Sequence, residues 1–141
     1  MFRQREDGSE VEKDFIKRHM QQLVQALKRV LNLAQAEQRI DDADEALRTT
    51  METALKLDLD RLAAVDARSC AVILGSAVRV RMYAQILAVE SKLLHLRGRE
   101  KESSDRLRRA LRLHEEADRR AAPSEEESRE KDLIRAELGS R

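Results

Sequence analysis

Residues 9–34 read SEVEKDFIKRHMQQLVQALKRVLNLA, and their spacing decides the fold class. Apolar side chains fall at Ile16, Met20, Leu23, Leu27, Val30 and Ala34, in alternating steps of four and three. That is the seam of a helix. Phe15, Val24 and Leu31 widen the seam into a broad, core-facing stripe. Ser9 with Glu12 forms a Ser-x-x-Glu capping box, which predicts a helix start at Ser9 or Glu10 and a flexible tail over residues 1–9.

Working outward, the chain continues to Leu74 without a glycine or proline. Strands joined by tight turns need Gly, Pro, Asn and Asp, so a β-rich fold is excluded. The whole 141-residue chain holds four glycines (Gly8, Gly75, Gly98, Gly139), one proline (Pro123) and one asparagine (Asn32). Ala, Leu, Glu and Arg dominate, as they do in long helices. The length suits a single domain, expected over residues 10–122.

Asp41 or Asp42, with Glu45 behind it, is expected to cap a second helix that buries Ala43, Leu47, Thr50, Met51 and Ala54 and ends near Leu57. The alternation Leu57-Asp58-Leu59-Asp60 is too short for a strand. Asp66, through Ser69, is expected to cap a third helix. The uncharged run from Cys70 to Val78 reads as the most deeply buried segment, with a buried strand as its competitor. Gly75-Ser76 marks a break or a kink there. A fourth helix runs to Leu96 and stops at Arg97-Gly98. A fifth carries Ser103, Leu107, Ala110, Leu113, Ala117 and Ala121 on one side, up to Pro123. Ser124 with Glu127 caps a charged C-terminal helix or tail, residues 123–141, expected to be loosely attached or used against a partner. Its apolar cluster is Leu133, Ile134, Ala136 and Leu138.

Residues 82–113 resemble one tetratricopeptide repeat, on Leu87, Leu94, Gly98, Ser103, Leu107 and Ala110. There a helix ends at a glycine, and small residues let the next helix approach closely. Residues 27–57 look like a weaker copy, with Ala34, Ala43, Leu47 and Thr50 in corresponding places and Gln38 where the glycine should be. The copies stand 60 residues apart rather than the 34 of a tandem array. The pattern resembles a small bacterial group of tetratricopeptide-like proteins. It implies an all-α fold of five to six antiparallel helices stacked as helical hairpins. It also implies a non-enzymatic scaffold that binds a protein partner.

Composition narrows the partners. The net charge of +1 argues against general capture of nucleic acid. Phe2, Phe15 and Tyr83 are the only aromatic residues, too few for repeated base stacking. No signal peptide or membrane-spanning run is visible, and a single cysteine, Cys70, fits a reducing compartment, so a cytoplasmic protein is expected. The breadth of the first helix's apolar surface suggests a homodimer.

No catalytic, cofactor or metal motif stands out. The residues three before His19, His95 and His114 are Ile16, Lys92 and Leu111, which excludes Glu-x-x-His pairs. Cys70 reads as a structural thiol, and Tyr83 as a packed ring with its hydroxyl at the surface. The enzymatic alternative is an RNA-cleaving or RNA-binding domain. Arg109 and His114, spaced Arg-x4-His, resemble the motif of helical ribonucleases of the higher-eukaryote-and-prokaryote nucleotide-binding type, although Ala110 stands where that family places a polar residue. Arg108 fits the spacing too, and 21 arginines in the chain make such a match easy to meet by chance. Charge is unevenly spread. Residues 37–66 carry nine acids and four bases, and residues 67–97 carry five bases and one acid. Arg79, Arg81, Arg97, Arg108 and Arg112 are therefore candidates for a partner-binding basic strip, or for pairing with the acidic helix inside the chain.

Overall fold

A computed structural model describes residues 2–141, with side chains from Phe15 onward. Seven helices follow one another: α1 (Phe2–Gln35), α2 (Ile40–Leu55), α3 (Leu59–Ala63), α4 (Ala67–Leu74), α5 (Ala77–Leu96), α6 (Glu100–Arg120) and α7 (Glu125–Gly139). No strand occurs among the described residues. α1 already runs through Ser9 from Phe2. The side chains of the Ser9–Glu12 pair lie outside the described residues, as does Met1.

The helix count exceeds the five or six expected because the acidic segment after α2 holds a short helix of its own, α3, ahead of the helix expected from Asp66. Lys56 leaves α2 with φ +52, and the Asp58 carboxylate accepts from Asp60 N at 3.0 Å, which starts α3. Leu62 is thereby driven fully into the core. Asp66 then accepts from Ser69 N at 2.7 Å and starts α4. Gly75, at φ +86, ends α4 outright rather than kinking it, and Ser76 caps α5 by accepting from Arg79 N. The competing strand at Cys70–Val78 is absent.

That run is also not the most buried. Cys70, Ala71 and Leu74 are inside, but Val72 is 68% exposed, because an eight-residue helix packed on α5 and α6 has one free side. The deepest stretch is Val80–Ala84 in α5, five consecutive buried residues. α5 lies against α1, α2, α4 and α6, so it is apolar nearly all round, as a surrounded helix must be.

The entry to α2 also differs from expectation. The chain reverses at Gln38, φ +54, and α2 begins at Ile40 with Arg39 at the cap position. Asp41 and Asp42 fall inside the first turn, where they still oppose the helix dipole. At the other reversal, Gly98 takes φ +80, with Gly98 N donating to His95 O and Arg99 N to Leu94 O. These are the two bonds of a glycine-terminated helix end.

α6 returns along α5. Arg106 pairs with Glu90, Ser103 with Ser91, and Arg81 with Asp118, an antiparallel register. Ser91 Oγ donates to Ser103 O and Ser103 Oγ to Ser91 O, each at 2.7 Å, with both residues buried. These hydroxyls satisfy themselves on helix carbonyls, and their small size lets the axes approach. Ala110 and Ala117 continue the contact with no exposure at all. Of the residues expected inside, Leu27, Val30, Ala43, Leu47, Leu107 and Ala110 are buried, while Thr50, Met51 and Ala54 on α2 are only partly covered.

Candidate functional site

Arg109 and His114 share α6, but five residues turn about 140° around a helix, so they leave it on different sides. Arg109 faces the α3–α4 corner, where its Nη2 donates to Leu62 O at 2.6 Å and contacts Cys70 Sγ at 2.8 Å. Its guanidinium carbon lies 6.0 Å from the centre of the Tyr83 ring. Burial raises the Cys70 thiol above its ordinary pKa despite the Arg109 charge. Tyr83, expected at the surface by its hydroxyl, is buried as a residue, and burial raises its pKa too.

His114 is fully buried, and neither ring nitrogen has a hydrogen-bond partner. Burial pushes its pKa down to about 4. The structure does not bring Arg109 and His114 to one place. The signal that foretold the burial of His114 is its position: Leu107, Ala110, His114 and Ala117 step three, four, three along the α6 seam.

The basic strip is dispersed in the same way. Arg79 donates to Leu55 O at the end of α2. Arg97 pairs with Asp41 (2.7 Å) and with Asp44 of α2, a contact between the acidic and basic parts of the chain. Arg108 pairs with Asp105 one turn away at 3.0 Å. Arg112 is exposed and makes no ion pair among the described residues.

Arg81 is the unexpected member. It is buried, with Nη2 donating to Asp118 Oδ1 at 3.2 Å and to Ala121 O at 2.6 Å, while Nε pairs with Glu127. Lys131 pairs with the other oxygen of Asp118. Burial tends to raise the Asp118 carboxyl, but hydrogen bonds from Lys131 and Arg81 outweigh it and hold the pKa below the ordinary value. These contacts join α5, α6 and α7. Ile134 adds a buried apolar anchor, and Arg141 Nη1 donates to Ser103 Oγ at 2.9 Å. The C-terminal helix is thus docked on the domain.

Docked there, α7 leaves a groove between itself and α1, floored by α5. Two adjoining openings of ≈ 550 and ≈ 620 Å³ make it up, sharing Met20, Val24, Arg81, Glu126 and Glu127. The α1 wall is Met20, Val24, Leu27 and Leu31; the α5 floor includes Ala88 and Val89; the α7 wall offers Leu133. The α1 side carries Lys17 and Lys28, and the α7 side Glu126 and Glu130 with Arg129 between them. Burial, then the charge of Glu127, raises the Glu130 carboxyl. Large apolar side chains stand open along the rim: Ile16 is 41% and Leu133 70% exposed.

Neither a protein-family model, nor a curated protein, nor a solved structure matches this chain. Among the described residues no three His, Cys, Asp or Glu side chains form a set that could hold a metal, and no helix is long and apolar enough to cross a membrane.

Proposed function

We propose that this chain is a non-enzymatic helical scaffold that binds a helix of a protein partner along the α1–α5–α7 groove. The observation that carries the reading is the apolar face of α1. It runs from Ile16, 41% exposed, through Met20 and Val24 into the groove without a helix of the chain to close over it. Exposed apolar surface continuous with a groove and rimmed by charge is the usual form of a helix-accepting site.

The finer architecture we propose is tetratricopeptide-like. Gln38 takes the left-handed backbone that Gly98 takes 60 positions on, and Ala43 and Leu47 are buried as Ser103 and Leu107 are. A cytoplasmic location accords with this reading. The rival, RNA cleavage by Arg109 and His114, gains nothing from a geometry that separates the two.

Capture from cells with the full-length chain as bait tests the proposal, with Val24→Asp/Leu133→Asp as the paired bait. Proteins held by the natural chain and lost by the variant, at equal helicity and equal Tm, are the expected result. Identical captured sets would overturn it. So would cleavage of single-stranded RNA that disappears in His114→Ala.

A further inference from the structure

Between Glu6 and Phe15 the chain carries five acids (Glu6, Asp7, Glu10, Glu12, Asp14) and one base, Lys13. Between Ile16 and Gln35 it carries four bases (Lys17, Arg18, Lys28, Arg29) and no acid. Both stretches belong to one uninterrupted helix, α1. Acids near a helix N-terminus are favoured by the dipole, but that effect fades within the first turn. Glu10, Glu12 and Asp14 lie more than about two turns in.

α1 is also longer than anything that covers it. It has 34 residues against the 16 of α2, about 51 Å against about 24 Å. The exposed Phe15 and Ile16 stand at the junction of the acidic and basic halves.

We propose that the occupant of the groove is a second copy of this chain, with the two α1 helices antiparallel about a two-fold axis near His19. The proposal rests on the groove reading above and names its partner. An antiparallel pair lays the acidic half of each α1 over the basic half of the other, whereas a parallel pair would set like charge on like. Eighteen residues make five full helical turns, so positions 10 and 28 share one flank of α1. A two-fold axis at residue 19 keeps each flank on its own side of the pair. Glu10 of each copy therefore meets Lys28 of the other, and the contact occurs twice. Lys28 already borders the groove, with Lys92 beyond it. In this register Ile16 of one copy falls between Met20 and Val24 of the second, closing the apolar face of both.

Size exclusion with light scattering, run on the full chain from low to high micromolar, reads the association. A mass of about 32 kDa, twice the 16.2 kDa chain, is expected. Ile16→Asp, at a half-open position, should give monomers that keep their helicity, and Val24→Asp, on the same face, is the second variant should the first fold poorly. Glu10→Lys and Lys28→Glu should each raise the dimer Kd about tenfold, and the double variant should return it to within about threefold of the natural chain. Within one chain these positions are about 27 Å apart, so only a contact between copies can restore the affinity. A monomer at every concentration overturns self-association, while capture lost with Val24→Asp/Leu133→Asp would still uphold the groove with another occupant. A dimer indifferent to both Ile16→Asp and Val24→Asp overturns the α1 interface. Failure of the double variant to restore binding overturns the antiparallel register.

Discussion

Acid should unfold this chain through His114, and the size of the effect follows from its surroundings. The imidazole is fully buried with both nitrogens unpartnered. Burial lowers its pKa from 6.5 to about 4; Asp118 pulls it upward, and the charges of Arg81 and Lys131 push it further down. Below pH 6.5 the unfolded chain takes up a proton that the folded chain refuses until the pH nears 4. Stability is therefore complete above the unfolded value and falls as the pH drops, by about 3 kcal/mol once the folded value is passed. That is a large share of the ~5–15 kcal/mol that holds a typical domain together. His114→Leu keeps nearly the same volume and removes the titration. At neutral pH the variant should equal or exceed the natural chain, since it no longer buries two unpartnered polar atoms. Denaturant unfolding of both proteins at intervals down to about pH 4 should show the gap widening in favour of the variant by about 2–3 kcal/mol, with the carboxylates common to both largely cancelling. A gap that stays flat with pH would refute the reasoning. So would a His114 ring titrating in the folded protein at its ordinary value.

Ala110→Leu should destabilise by about 1–3 kcal/mol, because the α5–α6 contact, where Ala110 is fully buried, leaves no room for the added carbons; an unchanged denaturation midpoint would contradict the packing. Gln38→Gly should stabilise by about 0.5–1 kcal/mol, since a side chain is strained at φ +54. Gly98→Ala should cost about 1 kcal/mol through backbone strain alone, as an added methyl would meet nothing within 4 Å; the pair is read by thermal unfolding. Arg81→Met should leave Glu127 without its cation and cost about 2 kcal/mol. Amide exchange should then quicken in α7 before the rest of the chain, and equal exchange there would show that Arg81 does not hold it.

What the sequence made legible was local. Asp66, Ser76 and Ser124 cap the helices that follow them because each cap is a bond between residues three apart. Gly98 stops α5 because a left-handed residue is needed at that turn. The same local reasoning misplaced the α2 cap, since nothing nearby in sequence says that Gln38 will bear a positive φ. It also undercounted the helices: Asp58 is a capping residue, but the five-residue helix it starts is too short to show a period. Arg81 looked like a member of a basic strip because its partners, Asp118 and Glu127, lie 37 and 46 positions away and no pattern joins them. His114 was drawn toward Arg109 by spacing, although its place in the α6 seam pointed to the core. The groove was only half legible. The width of the α1 stripe announced an uncovered surface, while its floor and far wall depend on how α5 and α7 meet.

The same backbone solution at two turns, closed differently, accounts for where that groove lies. Arg39 and Arg99 enter their helices with φ/ψ of −105/68 and −91/68, and each reaches an acid three residues on, Asp42 and Glu102. Four residues after each arginine a small side chain, Ala43 or Ser103, is fully buried. Beyond these turns the halves diverge. α6 lies against α4 and α7 as well as α5, and the polar contacts of Arg81, Asp118 and Lys131 fix α7 there. α2 lies against α1 and α5. A stack of helices leaves apolar surface at each end unless something covers it. At the α6 end α7 does so. Its anchors, Ile134 and Lys131, pack toward α6, which turns Leu133 away from the core and toward α1. The distance left between α7 and α1 is the groove, and its apolar lining is the α1 stripe that one covering helix, held at the other end, does not reach.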